Sequence, residues 1–134
     1  MSGCVLDTDV VIAALDRRDP HHSKAAEAIK AMSEDGVPLL LSLINYAETL
    51  VRPAEEESTL RAARDALASL GVRLIAPTPV IAVDAARHRG LNISLADGFA
   101  LATAQARDAH LASFDRRVRR ALPKVGLELA PQLS

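Results

Sequence analysis

The stretch Cys4-Val5-Leu6-Asp7-Thr8-Asp9-Val10-Val11-Ile12-Ala13-Ala14-Leu15 decides the fold class. Its first residues are apolar with no polar alternation, which reads as a short strand, over 3–7, buried on both faces. Polar residues follow, with Thr8 or Asp9 placed to cap a helix over 9–16. A buried strand that hands over to an apolar helix through a carboxylate opens a βα unit, and Asp7 at that junction is expected to be partly buried.

The same alternation continues along the chain. A helix is predicted from about Pro20 to Ser33, with Ala25, Ile29 and Met32 at helical spacing and Gly36 ending it. Val37 to Leu41 reads as a second strand, and Ser42 caps a helix that reaches Val51 before Arg52-Pro53 stops it. Glu55 to Leu70 is amphipathic, with Leu60, Ala63, Leu67 and Leu70 on one face and Gly71 after it. Val72 to Ala76 is a third strand. Two helices, Pro79 to Arg89 and Ser94 to Arg107, are separated at Gly90. Residues 109–113 form a fourth strand, followed by a short basic helix and a weak last strand near Leu127-Leu129. Strands regularly separated by helices predict an α/β fold with a central parallel sheet of about five strands, and right-handed crossovers place helices on both faces as a three-layer sandwich.

The bulk properties agree with one globular domain over residues 1–134. A chain of 134 residues, 49% hydrophobic, buries a core without disulfides or a structural metal. Its only cysteine, Cys4, excludes an internal disulfide and a cysteine-based zinc site. In its apolar run it reads as a buried small hydrophobe, in keeping with a reducing, cytoplasmic setting. No basic leader precedes an apolar stretch at the N-terminus, and no segment approaches the length of a membrane span. The net charge of −1 means that nucleic-acid binding would need local basic patches.

Four acidic residues carry the functional reading. Asp7 ends the first strand and Asp115 the fourth, while Glu48 and Asp97 fall early in helices. In an open parallel sheet ligands bind beyond the carboxyl ends of the strands, so all four carboxylates reach one rim. Two carboxylates about 5 Å apart repel by roughly 3 kcal/mol at an effective dielectric near 20. A cluster of them takes up either a proton or a cation. A hard divalent ion, Mg²⁺ or Mn²⁺, suits carboxylate oxygens and keeps several waters. Singly, each acid also has an ordinary explanation: Asp9 and Asp115 as caps, Asp97 in the capping box that Ser94 begins, and Glu48 on a solvated helix face.

The segments Cys4-Val5-Leu6-Asp7-Thr8, Asn45-Tyr46-Ala47-Glu48, Ser94-Leu95-Ala96-Asp97-Gly98-Phe99-Ala100-Leu101-Ala102-Thr103-Ala104 and Leu111-Ala112-Ser113-Phe114-Asp115-Arg116-Arg117 resemble the four acidic motifs of PIN-domain ribonucleases, in order and along essentially the whole chain. The likeness is nearest to VapC-type toxins of toxin–antitoxin pairs. The third segment, an acid opening an Ala/Thr-rich helix, is the most specific. The resemblance implies a PIN-like fold and an endoribonuclease that hydrolyses RNA phosphodiesters with a metal-activated water. It implies that Asp7, Glu48, Asp97 and Asp115 hold Mg²⁺ or Mn²⁺, with Thr8 and Ser113 as supporting hydroxyls. It also implies a cognate antitoxin and a homodimer. Two positions depart from the family pattern: Asp9, where Ser or Asn is usual, reads as a helix cap or a fifth carboxylate, and Val118 stands where an aromatic is frequent.

Arg116, Arg117 and Arg119 crowd the segment after Asp115 and read either as a solvated helix face or as contacts to RNA phosphates. The neighbours His21 and His22 read as surface residues. Two rival functions remain. Asp7-Thr8-Asp9 after an apolar strand is similar to the first motif of haloacid-dehalogenase-type phosphatases, with Asp7 as nucleophile and Asp9 as general acid. A non-catalytic domain of the same fold, kept for partner binding, is the other.

Overall fold

The computed structural model describes residues 3–134. Four parallel strands form one sheet: β1 (Cys4–Leu6), β2 (Leu39–Ser42), β3 (Arg73–Ile75) and β4 (His110–Ala112), in the order β3-β2-β1-β4. The central strand β1 pairs Cys4 with His110 and Leu6 with Ala112 on one side, and Cys4 with Leu39 on the other. Among the described residues six α-helices connect the strands, α1 (Thr8–Leu15), α2 (His22–Glu34), α3 (Leu43–Leu50), α4 (Glu57–Ser69), α5 (Pro79–Arg87) and α6 (Leu95–Arg107), and a seventh, α7 (Arg116–Ala121), follows β4.

The sheet is buried on both faces, as its uninterrupted apolar strands require. Cys4, Leu6, Leu39, Leu41 and Ala112 face α1, α2 and α4 through Val10, Val11, Ile29, Met32 and Leu67. Val5, Leu40 and Leu111 face the other way, against Leu101 and Ala104 of α6 and Val118 of α7. Val118 therefore fills core space, and burial pushes the Cys4 thiol up to about 12, leaving it a small inert hydrophobe. Helix α5 lies outside α6, with Ile81 and Ala85 packed on Ala102. The edge strand β3 carries the exposed Arg73, a charge that discourages further strand pairing.

Two boundaries differ from the sequence reading. The weak last strand is a single parallel bridge, Leu111 to Leu129. Gly126 turns at a φ of 73° on one side and Pro131 starts a 3-10 turn on the other, so too few extended residues remain for a ladder. The break expected at Gly90 falls later. A 3-10 turn runs through Gly90 to Leu91, and the left-handed residue is Asn92, with a φ of 62°. Asn adopts that conformation at low cost.

The strand order fixes where ligands meet the sheet. The chain leaves β1 toward β2 and β3, then crosses back to place β4 on the far side of β1. The crevice beyond the carboxyl ends of β1 and β4 is the topological switch point. Asp7 follows β1 there, and Ser113 to Asp115 follow β4.

Candidate active site

Asp7 is the N-cap of α1, in place of the expected Thr8 or Asp9. Its backbone is extended and its carboxylate accepts from the Thr8 amide at 2.9 Å. Its amide donates to the Ala112 carbonyl, and its second oxygen accepts from the Ser113 hydroxyl at 2.8 Å. The β1–β4 register sets this meeting, because a residue beyond Leu6↔Ala112 is Asp7 facing Ser113. Asp7 is 1% exposed. Burial first, and then the charges of Asp9 and Asp97, hold its carboxyl well above the usual carboxylate range.

Asp9 lies inside the first turn of α1 and caps nothing. One oxygen accepts from the Phe114 amide at 3.0 Å, tying α1 to the loop after β4. The other is buried and has no hydrogen-bond partner. Burial is the main cause that pushes Asp9 up to about 6, with smaller contributions from the charges of Asp115 and Asp97. A carboxylate oxygen sealed from water without a donor is costly, and a cation or a proton relieves it.

Asp97 and Asp115 are fixed by local chemistry. Ser94 and Asp97 form a reciprocal capping box at the start of α6: the Asp97 amide donates to Ser94 Oγ at 3.1 Å, and the Ser94 amide to Asp97 Oδ2 at 3.3 Å. Asp115 caps α7 by accepting from the amides of Arg117 and Val118. Ser113 links the two ends of the site, donating to Asp7 while its oxygen accepts from the Asp115 amide at 3.1 Å. Structural capping and a functional role are compatible here, since each cap leaves one carboxylate oxygen for another partner.

Glu48 stands apart. It is exposed on α3 and lines a groove of about 920 Å³ between α1, α3 and α4, together with Ile12, Leu15, Val51 and Ala63. The residue of that segment that reaches the site is Asn45, fully buried, whose amide donates to Thr8 Oγ1 at 3.0 Å and to the Ala96 carbonyl at 3.2 Å. Thr8 is thus held by α3, and Asn45 ties α3 to the start of both α1 and α6. A polar amide in an otherwise apolar turn, three residues before the acid, is the sequence signal for this role.

Arg119 also differs from the phosphate contact expected for it. Its guanidinium donates to the carbonyls of Ser113, at 2.7 Å, and Leu133, at 3.5 Å, bracing the loop that carries Asp115. Arg116 and Arg117 are exposed beside it.

The donor set is one of hard oxygens, and the orphaned oxygen of Asp9 and the strained protonation of Asp7 fit a divalent cation. As the side chains stand, no three His, Cys, Asp or Glu residues among the described residues close on one point.

Residues 4–122 match the family model described as PIN domain. The chain belongs to the PIN domain family. The PIN fold is shared with solved structures at low identity. A toxin–antitoxin complex from Klebsiella pneumoniae matches with a TM-score of 0.71 and 24% identity over 90% of this chain and 93% of that one. The sarcin–ricin loop cleaving toxin VapC20 of Mycobacterium tuberculosis matches with a TM-score of 0.69 and 22% identity over 89% and 95% of the two chains. VapBC-1 from nontypeable Haemophilus influenzae matches with a TM-score of 0.72 and 18% identity over 98% of each. A search of curated proteins returned no match. PIN membership sets aside the phosphatase reading of Asp7 and Asp9. No helix among the described residues is long and apolar enough to cross a membrane.

The two raised carboxyls have a measurable consequence. A group with a raised folded-state value stabilises the fold only while protonated, so its contribution is full below the unfolded value and is lost as pH rises through the folded one. For Asp9 that window runs from about 4 to about 6. The metal-free protein will therefore lose melting temperature as pH is raised from 5 to 7.5. Millimolar Mn²⁺ will restore it at pH 7.5 and have little effect at pH 5, where protons compete. Differential scanning fluorimetry over that range, with EDTA and with Mn²⁺, checks both signs.

Proposed function

We propose that this PIN domain is a metal-dependent endoribonuclease and the toxin of a toxin–antitoxin pair. The observation that carries the reading is a nearly sealed Asp7, held between Ser113 and Thr8 at the switch point of a parallel sheet, with Asp9, Asp97 and Asp115 around the same crevice. None of these carboxylates is in an ion pair: among the described residues, the ion pairs are Arg18–Asp16, Arg87–Asp84 and His110–Glu128.

Asp7, Asp97 and Asp115, with Glu48 entering from α3, are the residues that would hold Mg²⁺ or Mn²⁺. When bound, the ion supplies polarisation of a scissile phosphate and a hydroxide-like nucleophile at neutral pH. The chain's own part is placement. Ser113 orients Asp7 and the Asp115 backbone, Asn45 holds Thr8 and α6 in register, and Arg119 braces the Ser113 loop. Exposed Arg116 and Arg117 sit beside this rim, where they bind substrate phosphates and offset the repulsion of RNA by the carboxylates. Arg116→Ala combined with Arg117→Ala is expected to weaken RNA binding about tenfold at physiological salt and to flatten its salt dependence, leaving the Mn²⁺-induced rise in melting temperature intact. A filter-binding series over salt concentration checks it.

The groove beside Glu48 suits the antitoxin. Its apolar floor of Ile12, Leu15 and Ala63 is rimmed by Asp16, Arg18, Glu48 and Arg52. A partner segment lying there would cover Glu48. Exposed Val80 and Val83 of α5, with Leu95, offer a separate apolar surface to a second copy in a homodimer.

The deciding experiment maps new 5′ ends in total bacterial RNA treated with purified protein and Mn²⁺ or Mg²⁺, beside EDTA and Asp97→Asn controls. Discrete cuts that need both metal and Asp97 support the nuclease and name its substrate. No cuts and no metal-dependent change in melting temperature would return the protein to the non-catalytic reading. Co-expression with the neighbouring open reading frame tests the antitoxin; unrelieved toxicity counts against it.

A further inference from the structure

The loop between α1 and α2 carries an aromatic surface that the proposed chemistry does not use. His21 stacks on Phe114 with ring centroids 4.4 Å apart and planes 13° from parallel. Phe114 lies between Ser113, which holds Asp7, and Asp115, and its own amide donates to Asp9. The inner side of Phe114 packs on the core of α1, α2 and the sheet, while His21 is exposed. The imidazole therefore has Phe114 on one face and solvent access elsewhere, one residue from Asp115.

The ring is also held before any ligand arrives. The His21 amide donates to Asp19 Oδ1 at 2.8 Å, and the next residue is pinned by a 2.8 Å contact between His22 Nδ1 and the Ala13 carbonyl. Such preorganisation lowers the ordering cost of a contact. Aromatic residues are scarce, with one Tyr, two Phe and no Trp in the chain. Phe99 packs beside Ile81 and Ala85, and Tyr46 accepts from Arg64 on the far side of α3. The His21–Phe114 pair is thus the aromatic surface at the acidic rim.

We propose that His21, backed by Phe114, is a stacking platform for a base of single-stranded RNA next to the scissile phosphate. The proposal rests on the ribonuclease reading and adds to it a residue that positions the substrate, by holding the flat face of one unpaired base without preference for its identity. A site of this kind takes loops, bulges or single strands, because a base inside a duplex has no free face to offer.

The test uses the full chain carrying Asp97→Asn, which binds without cutting, and two probes: a fluorescein-labelled single-stranded oligoadenylate dodecamer and inorganic polyphosphate, which has charge but no bases. His21→Ala is expected to weaken dodecamer binding about tenfold and to leave polyphosphate binding within twofold. His21→Phe, which keeps a ring and removes the imidazole nitrogens, is expected to bind the dodecamer as the parent does. Equal dodecamer affinity for parent and His21→Ala overturns the platform while the ribonuclease reading stands. Equal losses for dodecamer and polyphosphate also overturn it, since a charge contact or a folding defect then explains the effect. A parent that binds neither probe overturns the RNA reading and the platform together.

Discussion

Replacing Asp7 by Asn will reduce metal-dependent cleavage by two orders of magnitude or more, and will raise the melting temperature of the metal-free protein at pH 7.5. Both effects come from the same burial. Asp7 is 1% exposed and its charge is opposed by desolvation and by Asp9 and Asp97. Asn is close to isosteric. Its Oδ1 keeps the bond from the Thr8 amide, and its Nδ2 meets Ser113, whose hydroxyl oxygen can accept. Removing an unfavourable buried charge while keeping the cap is expected to stabilise by about 1–3 kcal/mol, or roughly 4 °C per kcal/mol for a domain of this size. In the proposed nuclease, loss of one carboxylate from the set that would hold the cation removes electrostatic stabilisation of the hydrolytic transition state. A calorimetric scan and an RNA cleavage assay on one preparation check the pair. A fall in melting temperature, with the Mn²⁺ response intact, would make Asp7 a structural cap and nothing more.

Gly98→Ala is expected to destabilise by about 1–3 kcal/mol and to lower cleavage beyond the loss of folded protein. A Cβ at Gly98 would stand 2.7 Å from the Ala85 carbonyl oxygen, a backbone atom that cannot swing aside. The clash pushes α6 away from α5 at the turn that carries Asp97, so the error is transmitted directly to the site. Gly90→Ala is the control: a Cβ there meets nothing within 4 Å and the backbone φ is not positive. Its melting temperature should match the parent's within about 2 °C, a shift below about 0.5 kcal/mol. Melting curves of the two variants, with cleavage measured well below both transitions, separate a packing defect from a general intolerance of substitution.

Much of the fold was legible in the chain because its signals are local. Uninterrupted apolar runs mark strands buried on both faces, and Ser42, Ser94 and Pro79 mark helix starts through caps and ring geometry that need only neighbouring residues. Asp97 at the head of an Ala-rich helix was readable for the same reason. The errors fall where two remote segments compete for one residue. Asp7 takes the cap of α1 because the turn after β1 is extended, and Asp9 is thereby released to hold the Phe114 amide. Arg119 is drawn to the Ser113 and Leu133 carbonyls, which a helical pattern of arginines does not reveal. The role of Asn45 depends on Thr8 and Ala96, residues on two other helices.

By itself, then, the sequence determined the order of strands and helices, the acids near their ends and the α/β class. These follow from periodicity, capping and the need to bury apolar faces, which act over a few residues. Only the tertiary structure decided which acids share an environment, how deeply Asp7 is buried, that Glu48 borders a groove, and that His21 lies on Phe114. Those facts depend on the strand order β3-β2-β1-β4, which sets β4 beside β1 and brings Ser113 to Asp7 across 106 positions of chain. No local pattern encodes a contact at that separation. It is selected by the packing of the whole sheet, where the energy of burying every apolar face is shared among all the crossovers at once.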